Sequence, residues 1–67
     1  MSVWLYYKSH YKNDPPLKYL VDITKLDKSY VYADYVWYDE HGPRMPKPLS
    51  GVFLWCDIVK FEVMDED

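Results

Sequence analysis

From the N-terminus, apolar and polar side chains alternate over Ser2 to Lys12: Val3, Leu5, Tyr7 and Tyr11 fall on one side, Trp4, Tyr6, Lys8, His10 and Lys12 on the other. A period of two is that of a half-buried β-strand. Asn13, Asp14, Pro15 and Pro16 then predict a break, because proline cannot donate to a ladder and Asn and Asp favour turns. Residues 17–26, LKYLVDITKL, fit two patterns. Asp14 before Pro15 resembles a helix start, with Lys18, Asp22 and Lys25 as a polar stripe. Against this, Leu17, Tyr19, Val21 and Ile23 alternate with Lys18, Leu20, Asp22 and Thr24, and β-branched Val, Ile and Thr suit a pleated surface. The balance favours a strand; a helix over 17–26 packed on a curved antiparallel sheet, an α+β fold, is the alternative.

Asp27, Lys28 and Ser29 predict a short turn into YVYADYVWYDE, residues 30–40, as the next antiparallel strand. Its alternation puts Val31, Ala33, Tyr35 and Trp37 on one face and Tyr30, Tyr32, Asp34, Val36 and Tyr38 on the other. From Asp39 to Ser50 the chain holds one glycine and three prolines with no periodicity, which predicts a loop that is long for so small a domain. Gly51 to Trp55 reads as a fourth strand and Ile58 to Met64 as a fifth, with Val59, Phe61 and Val63 inward and a tight bend at Cys56 and Asp57. Asp65, Glu66 and Asp67 form an acidic tail expected to fray. The prediction is an all-β protein, one domain over 1–67, of about five short antiparallel strands curled to hide their edges.

The stretch GVFLWCDIVKFEV, Gly51 to Val63, resembles the last third of SH3-like barrels, where a glycine-led strand passes through a tight turn into a final strand of the form YVEL. The resemblance implies a small SH3-like barrel and nothing about ligands. The family's ALYDY stretch is absent, so no proline-peptide groove comes with it.

With 67 residues the chain supports one small core. A single cysteine, Cys56, allows no internal disulfide, and no apolar run is long enough for a membrane helix, so a cytoplasmic setting is expected. The net charge of −3 is uneven. Through Lys28, five lysines face three aspartates; beyond it, three cations face eight acids. Duplex DNA is a poor default partner for such a chain.

Four candidate chemistries arise. Cys56, His10 and His41 supply the obvious nucleophile and bases, but Cys56 lies among Phe53, Leu54, Trp55 and Ile58 and reads as a small buried hydrophobe, so no enzyme is expected. Asp39, Glu40 and His41, with Asp57 or Asp34, raise a metal site, yet consecutive residues diverge and no cofactor is expected. Pro43 to Pro46, PRMP, fits the PxxP template, and proline there also stiffens a loop. Trp4, Tyr6, Lys8, His10 and Lys12 interleave rings with cations, as in single-strand nucleic-acid binding.

Aromatic residues make up 19% of the chain. Val3, Leu5, Tyr7, Val21, Ile23, Val31, Ala33, Tyr35, Trp37, Phe53, Trp55, Val59, Phe61 and Val63 fill the interior of one curled sheet, leaving Trp4, Tyr6, Tyr30, Tyr32 and Tyr38 outside. Tyr and Trp are the residues most enriched in interface hot spots. The expected function is therefore a non-enzymatic interaction module or inhibitor that binds a host or partner protein through Tyr30, Tyr32, Asp34, Tyr38, Asp39 and Glu40, with the 41–48 loop at the rim. Small acidic chains of this kind resemble the proteins that phages and other mobile elements use to block host factors. The alternatives are the nucleic-acid binder above and a homodimer sealed by the aromatic face.

Overall fold

The computed structural model describes residues 2–63, and their regular elements are strands apart from one turn of 3-10 helix at Trp55–Asp57. The strands are β1 (Ser2–Tyr7), β2 (Leu17–Leu26), β3 (Tyr30–Asp39), β4 (Gly42–Pro43), β5 (Leu49–Leu54) and β6 (Ile58–Val63). All pairings are antiparallel, in the order β4-β3-β2-β1-β6. Because β2 runs along one edge of β3, β5 and β4 share its other edge, opposite Tyr30 to Tyr35 and Tyr38 to Asp39 respectively. The fold is all-β, as the alternation predicts.

The helix alternative for 17–26 is overturned. Leu17–Leu26 is a ten-residue strand laddered to β1 over Leu17–Asp22 and to β3 along its other side, with a register shift between Ile23 and Lys25, so its backbone bonds run between strands and not along a helix.

The sheet is strongly curled. In a flat sheet β1 and β5 would stand about 14 Å apart, three strand spacings. Instead the Tyr7 and Phe53 rings meet edge to face at 5.3 Å, and the Leu54 N–H donates to the Tyr7 hydroxyl at 3.2 Å. Inside the curl, Val3, Leu5, Val21, Val31, Ala33 and Phe53 are buried, with Tyr7, Tyr19, Ile23, Tyr35, Ile58 and Phe61 packed around them. No ladder among the described residues joins β5 to β6; the 3-10 turn and the Tyr7 hydroxyl bridge that gap.

Four expected core residues lie at the surface: Trp37, Trp55, Val59 and Val63 are each more than a third exposed. For Val59 the reason is a bulge, whereas Val63 keeps its register opposite Val3 and is exposed at the last residue of β6. Phe61 faces Leu5, but the register shifts between Tyr6 and Tyr7, so Ile58 rather than Val59 comes opposite Tyr7. One extra residue reverses which side chain points inward. Trp55 leaves the strand pattern by entering the 3-10 turn, where its indole N–H donates to the Asp27 carbonyl at 2.8 Å. Trp37 is inward by alternation but sits where the curl opens near the end of β3.

Three boundaries also move. β1 ends at Tyr7, not Lys12: one further bond to the β6 side, Lys8 N–H to the Asp57 carbonyl at 2.8 Å, is followed by a turn closed by Asp14 N–H on the Tyr11 carbonyl at 3.1 Å. The expected 39–50 loop contains β4, entered through Gly42 at φ 103°, a left-handed conformation suited to glycine. β5 begins at Leu49, two residues before Gly51. Met64 and the acidic tail at 65–67 lie outside the described residues.

Tyr19 shows what this core does to a polar ring. Burial, reinforced by Tyr35 and Tyr7, raises its pKa above the usual 10.0. A raised folded-state pKa means the unfolded chain loses this proton first, so stability holds below about pH 10 and falls as pH rises through the folded value. Denaturant titrations across this alkaline range should show the decline, and Tyr19→Phe should make it shallower.

Candidate functional site

Registers place the outer-face residues in cross-strand rows. Tyr6 stands opposite Lys18 and Lys18 opposite Tyr38; one row along, Trp4 stands opposite Leu20 and Leu20 opposite Val36. Reaching diagonally, the Trp4 and Tyr38 rings meet edge to face with centroids 4.9 Å apart. Lys18 Nζ lies 4.2 Å from the Trp4 ring centroid, and Lys60 Nζ lies 4.6 Å from that of Tyr6. Two rings from one expected surface and one from its rival thus form a single cluster.

Beside this cluster runs an open groove of about 540 Å³, between the β1–β2 loop and the end of β3. Tyr6, Trp37 and Tyr38 contribute aromatic wall, Pro15 and Pro16 stiffen the opposite bank, and Asp14, Asp39 and Glu40 bring carboxylates. One corner is held firmly. Asp39 accepts a hydrogen bond from the His41 N–H at 2.7 Å and pairs with Arg44 Nε at 3.2 Å, while Arg44 N–H donates to the Trp37 carbonyl at 2.8 Å.

The six expected contact residues do not form one patch. Tyr38, Asp39 and Glu40 line the groove, whereas Tyr32 lies six residues back along β3, about 20 Å away at strand rise. Tyr30 and Tyr32 are neighbours, 6.3 Å between centroids, opposite Leu54 and Val52 of β5. Between the two groups, Asp34 accepts a hydrogen bond from the Ser50 hydroxyl at 2.9 Å.

The first-strand set also divides. Trp4 and Tyr6 share the outer face, but Lys8, His10 and Lys12 follow the end of β1 in the loop, so strand alternation does not align them with the rings. The cations over those rings are Lys18 and Lys60. Sequence reasoning missed both, together with Trp37 and the Asp14-Pro15-Pro16 bank, because their places depend on strand register and curl. The alternation did put Lys18 on the polar face of its strand.

Cys56, expected to be buried, is exposed in the 3-10 turn. The turn lifts it out of the strand alternation that would have carried it inward. The middle of PRMP is tied to its own chain: besides the Arg44 contacts, Met45 Sδ accepts the Trp37 N–H at 3.3 Å. Among the described residues no three His, Cys, Asp or Glu side chains converge as metal ligands, and Glu40 and His41 approach each other at 3.5 Å. No helix among them is long and apolar enough to cross a membrane.

No family model matches the chain, and neither the curated proteins nor the solved structures give a match.

Proposed function

We propose that this chain is a non-enzymatic interaction module, or an inhibitor, that docks a partner protein at the groove beside Tyr38. One observation carries the reading: Tyr6, Trp37 and Tyr38 contribute wall to a single open groove that also holds Asp14, Asp39 and Glu40. Rings supply large rigid contact area at low entropic cost, and they are typical anchors of protein interfaces. The Asp39, Arg44 and His41 contacts set that corner before a partner arrives, which lowers the ordering cost of binding. The lone Cys56 suits a reducing cytoplasm, where an exposed thiol stays a thiol.

The test is capture of a partner from the host lysate by the tagged full chain. Tyr38→Ala should weaken capture by about 30-fold, the effect of losing an anchor worth about 2 kcal/mol. Tyr38 is only half-buried and lies on the outer face, so circular dichroism should show the same fold. Equal capture by wild type and Tyr38→Ala would remove the groove from the account.

A second reading, single-strand nucleic-acid binding, draws support from Lys18 and Lys60 lying over the Trp4 and Tyr6 rings. It requires these lysines to swing aside so that bases can stack. A labelled oligonucleotide that binds at physiological salt and is released by Trp4→Ala with Lys18→Ala would favour it over protein docking.

A further inference from the structure

β5 is an edge strand without the usual protection. Exposed edges in soluble proteins are normally blunted by charge, proline or a bulge. β6, the other long edge, carries Lys60 and Glu62 and a bulged register. Leu49–Leu54, by contrast, reads LSGVFL, with no charge and no proline, and pairs with β3 in unbroken register. Leu49, Val52 and Leu54 are respectively 50%, 52% and 36% exposed.

Hydrogen-bond parity shows which backbone groups face outward. Trp55 N–H donates to the Ser29 carbonyl, on the β3 side, while Leu54 N–H donates away from β3 to the Tyr7 hydroxyl. Because successive residues alternate in direction, Ser50 and Val52 also present their N–H and C=O groups away from β3. The Tyr7 hydroxyl caps the edge at Leu54; among the described residues nothing pairs with the edge at Ser50 and Val52.

We infer that β5 pairs with β5 of a second copy of this chain, antiparallel, about a twofold axis at Gly51. In that register Ser50 of each copy faces Val52 of the other, so the four open backbone groups on each strand satisfy one another. Gly51 meets Gly51 at the non-hydrogen-bonded position, where strands approach most closely and a side chain would crowd most. Val52 and its neighbours Tyr30, Tyr32 and Leu54 then lie along the seam.

Charge selects this occupant. Two chains of net charge −3 repel in general, but β5, Tyr30 and Tyr32 are uncharged, and the carboxylate beside Ser50, Asp34, is bound to that residue's hydroxyl and stands on the β3 side of β5, away from the second copy. A charged partner strand would find no counter-ion on β5. A six-residue seam is smaller than the roughly 800 Å² per partner of a stable complex, so the dimer should be weak and form only at high protein concentration. The proposal is independent of the groove, which lies toward the other end of β3.

Light scattering across a concentration series tests it. The wild-type mass should climb from 8.1 kDa toward twice that value, and Val52→Thr, which keeps the backbone N–H, should do the same. Val52→Pro removes the outward N–H without touching the β3 ladder and should stay at the monomer mass. A wild-type chain that stays monomeric to about 1 mM, or a dimer that survives in folded Val52→Pro, overturns the inference. If Val52→Pro does not fold, wild-type amide exchange decides. Slowing at Ser50 and Val52 with rising concentration supports the seam, and fast exchange at every concentration overturns it.

Discussion

Leu5→Ala should lower the urea midpoint of the chain far more than any surface substitution. Leu5 is fully buried and stands on β1 between Tyr19 of β2 and Phe61 of β6. Removing a buried leucine costs about 2–5 kcal/mol, through lost transfer energy and the cavity left behind. A domain of this length holds roughly 3–10 kcal/mol in total, at about 0.05–0.15 kcal/mol per residue. The substitution therefore takes about half of the reserve. Val63→Ala, also apolar but 64% exposed on β6, should cost less than about 0.5 kcal/mol. Urea unfolding followed by tryptophan fluorescence separates the two. A Leu5→Ala midpoint close to wild type would mean that the core lies elsewhere.

Gly51→Ala is expected to destabilise, although alanine ordinarily improves a strand position held by glycine. A Cβ built on Gly51 would stand 2.6 Å from Cε1 and 2.9 Å from Cδ1 of Tyr35. That ring is not free to retreat without loss. It packs edge to face on Phe53 at 5.6 Å and on Tyr19 at 5.5 Å, the aromatic heart of the curl. Overpacking of this kind costs about 1–3 kcal/mol. The cause can be isolated in a double-mutant cycle. In a Tyr35→Ala background the added methyl loses its three nearest contacts, so Gly51→Ala should become neutral or favourable, and the two substitutions should not add. Strict additivity would show that the glycine is needed for another reason.

Much of the fold was legible because alternation over three long strands is a local signal. Val3 and Leu5, Val21 and Ile23, and Val31 and Ala33 declared their common face without any tertiary information, and they form the interior. What escaped was set by long-range geometry. The β6 bulge moved Ile58 in and Val59 out, the 3-10 turn lifted Trp55 and Cys56 to the surface, and β1 stopped at Tyr7 ahead of the turn closed by Asp14 on Tyr11. None of these has a sequence signature as strong as a period of two.

The site was legible in kind and not in arrangement. An excess of rings over interior space pointed to an aromatic outer face, and Trp4, Tyr6 and Tyr38 cluster there. Grouping by strand, however, joined Tyr38 to Tyr30 and Tyr32, which are distant along β3, and separated it from Trp4, which it touches. Cross-strand register decides such neighbours, and neither strand carries it alone.

Hydroxyl-radical footprinting of the full chain, free and in complex with its captured partner, tests the docking groove most directly. Oxidation at Trp37 and Tyr38 should fall at least several-fold in the complex, while Tyr11, 73% exposed on the β1–β2 loop, keeps its reactivity. A complex in which Trp37 and Tyr38 react as they do in the free chain would contradict the account.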